Sequence, residues 1–242
     1  MDQCSAGLAP LELPSGVVEV VRRLMSAASL EVTPGELHTI ETLAHLVPPQ
    51  TRVYITSLAG RPIASSVETA KKLRAGGLIP VPHLAARRIR DRTELFGTLD
   101  QLRSAEVNEA LVIAGDLSKP TGEFSSTLEL LRTEAFDQFG FRRLGVAGYP
   151  EGHANIPQEQ LSKALADKAA FARNADAQMY ILTQFCFDAD AIIDWEQQIR
   201  PIVGSELPVH VGLPGVTSIR KLLRFATVCG IGPSAKFLRQ NP

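Results

Sequence analysis

The sequence predicts an α/β fold, a (β/α)8 barrel of the TIM type, on three observations. Short β-rich runs recur along the chain, each followed by a longer amphipathic stretch, and strict β-α alternation implies a parallel sheet. Several runs, such as ALVIAG, LGVAGY and MYILTQ, are almost wholly apolar, as parallel strands buried on both faces are. No GxGxxG follows the first run, which disfavours a doubly wound dinucleotide fold. The 242 residues approach the roughly 250 typical of such a barrel.

Strands are predicted at Ala28–Val32, Arg52–Ser57, Leu78–His83, Ala110–Gly115, Leu144–Tyr149, Met179–Gln184 and Val209–Leu213. Residues 1–26 read as a helical N-terminal extension of a single domain covering 1–242. The first outer helix is Pro34–Leu46, with Thr33 as N-cap, Pro34 at the first position and Glu36 at the third. A second helix ends at Gly76-Gly77, a C-cap signal. Ser125–Phe136, Pro157–Asn174, Asp188–Ile202 and Thr217–Cys229 complete the helices. GPSAKFLRQNP then closes the sequence without an eighth β-rich run. A complete barrel requires one more strand and helix, so the eighth strand is expected to be missing from this chain. A further C-terminal segment or a neighbouring chain would have to cover the unpaired edges of strands one and seven.

Composition excludes several functions. With 25 Lys+Arg against 26 Asp+Glu, the chain lacks the basic field that a duplex nucleic-acid binder needs. Three cysteines, Cys4, Cys186 and Cys229, show no disulfide-scaffold spacing. No apolar run approaches the about 18 residues of a membrane span. Glu19, Arg22 and Arg23 interrupt the one N-terminal stretch that a signal peptide would use. A reducing cytoplasm is the expected compartment, and a homo-oligomer is left open.

In a (β/α)8 barrel the site forms at the C-terminal strand ends. Those positions here are Glu31, Thr56, His83, Asp116, Tyr149 and Gln184, and apolar runs have no packing reason to end in polar groups so regularly. Glu31, between Leu30 and Val32, is either a solvent-facing strand residue or an inward acid with a raised pKa. His83 is either a structural hydrogen-bonder or a site residue. Asp116, after Gly115, is a turn former or a ligand contact. Tyr149 could plug the rim, and Gln184 needs polar partners if buried. The five histidines never pair at i, i+4 and no Cys-x-x-Cys exists, so no metal site is expected. No GxSxG marks a nucleophile, and Cys186 reads as packing. The run Arg87-Arg88-Ile89-Arg90 reads as a solvated helix face or an anion contact. The GLPGVTSIRK segment offers a helix N-terminus suited to phosphate. An acid, hydroxyls and phosphate contacts without metal or nucleophile suit a redox cofactor that brings its own chemistry.

These residues resemble the methylenetetrahydrofolate reductase family. The matching segments are SLEVTP around Glu31, RVYIT ending at Thr56, VPHL around His83 and VIAGD ending at Asp116. VAGYPEGH (Val146–His153) and YILTQFCFD (Tyr180–Asp188) are the most specific. The resemblance runs from about Ser29 to Ile231 and itself implies the barrel. It implies reduction of 5,10-methylenetetrahydrofolate to 5-methyltetrahydrofolate, with FAD relaying hydride from NAD(P)H. Glu31 then corresponds to the catalytic acid that protonates the folate and opens its methylene bridge to an iminium. Asp116 corresponds to the acid near flavin and pterin, and Gln184 to the glutamine that contacts pterin or nicotinamide. Thr56, His83, Gly115, Tyr149, His153 and Lys168 correspond to FAD-binding positions. The chain departs from the family in reading Ala114-Gly115-Asp116 where Arg-Gly-Asp is usual, and in lacking an aromatic residue after Leu213. Those departures keep two alternatives: a flavin-independent reductase of the same fold, and a folate- or flavin-binding protein without turnover.

Overall fold

The computed structural model describes residues 14–35, 37–205, 207–215 and 222. After an exposed amphipathic helix α1 (Ser15–Ser26) come β1 (Leu30–Val32), α2 (Leu37–Leu46), β2 (Arg52–Ile55), α3 (Ile63–Ala75) and β3 (Ile79–Ala85). A single 3-10 turn, Ala86–Arg88, leads into α4 (Arg92–Ser104) and β4 (Glu109–Ile113). Two short helices, α5 (Thr127–Leu131) and α6 (Ala135–Gln138), precede β5 (Arg143–Gly148). Then follow α7 (Gln158–Ala172), β6 (Gln178–Thr183), α8 (Ala189–Val203) and β7 (Val209–His210).

All seven strands are parallel, in the order β1-β2-β3-β4-β5-β6-β7. This is an open barrel, with helices outside and the strands in chain order. Among the described residues nothing pairs β1 with β7. Apart from residue 222, the predicted helix Thr217–Cys229 lies outside the described residues, as does Glu36 of the predicted N-terminal cap.

Alternation along the strands sorts side chains into two layers. Val53, Ile55, Leu84, Val112, Leu144, Val146 and Ile181 face outward and pack with Leu73, Leu95, Leu99, Leu165 and Trp195 of the helices. Tyr54, Val81, Leu111 and Tyr180 face inward and form a separate cluster inside the barrel. Asp91 caps α4 by accepting from the Glu94 amide, and Asp188 caps α8 through the amides of Asp190 and Ala191. Such caps satisfy amides that a helix start leaves open.

The structure corrects the sequence expectations at three places. The predicted helix Ser125–Phe136 is broken, because Glu134 adopts φ 60° and the chain restarts as α6. Helix α4 has no counterpart among the predicted helices. Strand β3 continues two residues beyond His83, so the imidazole stands within the strand, level with Leu111 of β4.

Interior space is rationed by glycine. A Cβ at Gly145 would lie 2.6 Å from the Tyr180 ring and 2.7 Å from Leu111. Gly145→Ala is therefore expected to destabilise by about 1–3 kcal/mol through overpacking. By contrast Gly97, exposed within α4, has no atom within 4 Å of such a Cβ, so Gly97→Ala should add about 0.5–1 kcal/mol. Urea denaturation of the two variants checks both signs.

Candidate active site

Register decides which strand residues reach the interior. Glu31 pairs with Tyr54, and Tyr54 with Val81. Neighbours in register share a face, so Glu31 joins the inward Tyr54 and Val81. His83, two residues beyond Val81, faces the same way. Of the two readings of Glu31, the inward one holds.

The floor beneath these groups is built first. The hydroxyls of Tyr54 and Tyr180 meet at 2.8 Å in the buried interior. Below them the Arg52 guanidinium donates twice to Glu109, at 2.8 and 2.9 Å. The Arg143 guanidinium lies 4.7 Å from the Tyr180 ring centre and 3.1 Å from His210 Nε2. This N-terminal end of the barrel is closed by mutual hydrogen bonds and ring contacts.

Above the floor sits the acid. Glu31 Oε2 is 3.7 Å from His83 Nε2. The surrounding barrel wall desolvates Glu31 and raises its carboxyl above the usual carboxylate range, although 56% of the side chain still meets the open mouth. Burial lowers His83 to about 4, so the ring is neutral at physiological pH. Its Nε2 is buried without a hydrogen-bond partner. Thr56 is tied to β1, its amide and hydroxyl both donating to the Val32 carbonyl at 3.0 and 3.3 Å.

The ends of β3 and β4 lock together beside this pair. Arg88 Nη2 donates to Asp116 Oδ1 at 2.5 Å. The arginine side chain is only 14% exposed, while Asp116 is 67% exposed. Arg87 donates from its amide to Ala114, from Nη1 to Leu117 and from Nε to Ser125, each at 2.9 Å. Gly115 takes φ +91°, and a Cβ there would approach that of Ala85 to 3.1 Å. The solvated-face reading of Arg87-Arg88 is thus overturned: the apolar strand runs on to Ala85 and delivers both arginines against the next loop. Only Arg90 fits it, being exposed and paired with Glu94.

On the far side, Tyr149 and His153 meet edge to face with ring centres 5.3 Å apart. Burial, with Arg87 adding repulsion, lowers the His153 pKa. Gln184 follows β6 and its side-chain oxygen accepts from the Phe185 amide at 3.0 Å. Lys168 lies on the buried face of α7 with Leu165 and Ala169. Burial lowers its ammonium to about 8, and it has no ion pair among the described residues. Cys186 is buried, accepting from the Asp188 amide at 3.3 Å, in keeping with a packing role. Among the described residues no group of three or more His, Cys, Asp or Glu could hold a metal ion, and no helix is long and apolar enough to cross a membrane.

Sequence reasoning missed Tyr54 and Tyr180, and placed Arg88 in a run read as a solvated face or an anion contact. The tyrosines carried a signal, each being the one aromatic residue of its strand. Which loop Arg88 would meet had no signal in the sequence.

Buried nitrogens that lack acceptors, His83 Nε2 and Arg88 Nε, suit an acceptor-rich, anionic ligand.

Fold and site together define a (β/α)-barrel protein with its working groups at the C-terminal strand ends. A family model described as methylenetetrahydrofolate reductase matches residues 36–239, and the chain belongs to that family. Methylenetetrahydrofolate reductase 2 of Schizosaccharomyces pombe is 26% identical over 197 residues, covering 76% of this chain and 31% of that protein. Methylenetetrahydrofolate reductase (NADH) 1 of Arabidopsis thaliana is 27% identical over 146 residues, 54% of this chain and 24% of the relative. The chain thus spans less than a third of these relatives. A mutant tryptophan synthase alpha-subunit from Pyrococcus furiosus shares the fold, with TM-score 0.51 and 13% identity over 89% of this chain and 95% of its own.

The neutral His83 makes stability depend on pH. An unfolded histidine takes up its proton near 6.5, whereas His83 does so at about 4. Between those values the unfolded chain binds more protons, so acidification from 6.5 toward 4 removes stability, and above 6.5 this contribution is constant. The loss should approach about 3 kcal/mol. His83→Gln is expected to flatten that limb in denaturation measured across the window.

Proposed function

We propose that the chain interconverts 5,10-methylenetetrahydrofolate and 5-methyltetrahydrofolate, using NAD(P)H as the hydride source and FAD as a bound relay. One observation carries the reading most directly: Glu31, in a chain of this family, is an inward carboxyl that the barrel wall keeps above the usual carboxylate range. A carboxyl so placed retains a proton nearer to neutral pH, which a general acid requires.

In this reading Glu31 delivers its proton to the folate at the mouth. Asp116, fixed by Arg88, presents a charged oxygen toward cofactor and pterin, and Gln184 contacts pterin or nicotinamide. Thr56, His83, Gly115, Tyr149, His153 and Lys168 would hold FAD, an acceptor-rich, anionic ligand of the kind that the buried donors at the mouth suit. When bound, FAD would carry hydride between nucleotide and folate. The apolar lining of Val81, Leu111, Ile113 and Leu182 limits water beneath the reacting groups. A cytoplasmic setting suits these substrates.

A second reading, direct hydride transfer from nicotinamide to folate, draws on Ala114, which stands where an arginine is usual in the family. The untreated protein's absorption spectrum separates the two. The first reading predicts flavin bands near their usual positions, and colourless protein that refuses added FAD contradicts it. In Glu31→Gln, NAD(P)H should still reduce bound FAD while folate turnover falls by about 10²–10⁴-fold. Folate turnover equal to wild type would remove Glu31 from the mechanism.

A further inference from the structure

We propose that His83 is the positioning residue for Glu31: its Nε2–H donates to Glu31 Oε2 and leaves the other carboxyl oxygen, with its proton, aimed into the barrel mouth. This rests on Glu31 being the acid of the proposed reaction.

Three geometric facts carry it. Both side chains stand on the inward face, Glu31 on β1 and His83 on β3, with Tyr54 of β2 between them. Their polar atoms are 3.7 Å apart. His83 Nε2 is buried with no hydrogen-bond partner, and a buried ring nitrogen left unpaired is costly. A separation of 3.7 Å is beyond a hydrogen bond, but a closure of under about 1 Å by rotation of the exposed Glu31 side chain reaches it. Active-site hydrogen bonds are often long until ligand enters.

The surroundings select the neutral form of the pair. The elements packed on His83 bring Glu31 from β1, Tyr54 from β2 and the apolar Leu111 from β4. Tyr54 in turn hydrogen-bonds Tyr180, and its own pKa is raised, so it stays uncharged. Arg88 at the end of β3 is already engaged by Asp116. Burial disfavours charge on both partners, raising the carboxyl and lowering the imidazole. The proton to be delivered therefore stays on Glu31, as N–H···O=C–OH rather than as an ion pair. After Glu31 gives up that proton to substrate, the pair is recharged from solvent at the exposed carboxyl, with no net change at His83.

The test uses the full chain and reads the histidine directly. Side-chain ¹⁵N and ¹³C spectra of the five histidines are followed from about pH 4 to about pH 9, with His83 assigned from His83→Gln. In wild type the His83 Nε2 shift should show an inflection where Glu31 ionises, and Glu31→Gln should abolish it. Glu31→Gln alters the exposed partner, so this arm does not depend on replacing the buried ring. His83→Ala should lower kcat for folate by about 10–100-fold, with KM little changed. An Nε2 titration identical in wild type and Glu31→Gln overturns the proposal, as does a His83→Ala defect confined to KM. Spectral coupling without any folate turnover sustains the pair and instead defeats the proposed reaction.

Discussion

The contact between the Tyr54 and Tyr180 hydroxyls sets the geometry on which the site depends. It joins β2 to β6 across the interior, at 2.8 Å and out of solvent. A sheet of seven parallel strands can twist open or curl, and this contact belongs to the curled form. Gly145 leaves the space that the Tyr180 ring fills, and the Arg143 guanidinium covers the ring from below. Burial raises both phenols, so neither carries charge at any working pH and the pair can remain a neutral hydrogen bond. Glu31 and His83 stand on this floor because they share its face of the sheet.

The two ends of the barrel are treated differently. At the N-terminal end Arg52, Glu109, Arg143 and His210 satisfy one another. A buried ion pair made this way is weak evidence of net stability, but losing one partner would strand a charge. At the C-terminal end His83 Nε2 and Arg88 Nε are left without acceptors. Unmet hydrogen bonding concentrated at the end where barrels place their sites is what a ligand would complete. Gly115 holds φ +91° where the loops of β3 and β4 meet, a conformation that glycine adopts freely and a side chain would not.

Much of this was legible in the sequence, and the limits have physical causes. β-rich runs located all seven strands, and several of them read as almost wholly apolar because parallel strands covered on both faces are buried, whereas β1 is exposed at Leu30 and Glu31. Their polar ends named Glu31, Thr56, His83 and Asp116 as candidates. The face of Glu31 was not legible, since a strand as short as Leu30–Val32 gives alternation too little length and only register with Tyr54 settles it. Arg88 was misread because a run of arginines has the same composition whether it meets solvent or a neighbouring loop. The break before α6 was hidden likewise, because Glu134 is an ordinary helix former that here adopts a left-handed conformation. Lys168 was reached through resemblance alone, and it is buried on α7.

The central claim is that opposite walls of the open barrel meet through the two tyrosine hydroxyls and so bring the strand-end groups to one mouth. A double-mutant cycle on unfolding free energy, with Tyr54→Phe, Tyr180→Phe and the pair together, tests it most directly. The structure predicts a coupling of about 1 kcal/mol, the worth of one buried hydrogen bond. Single effects that add to within about 0.3 kcal/mol would show that the hydroxyls do not meet, and would contradict the curled sheet that forms the site.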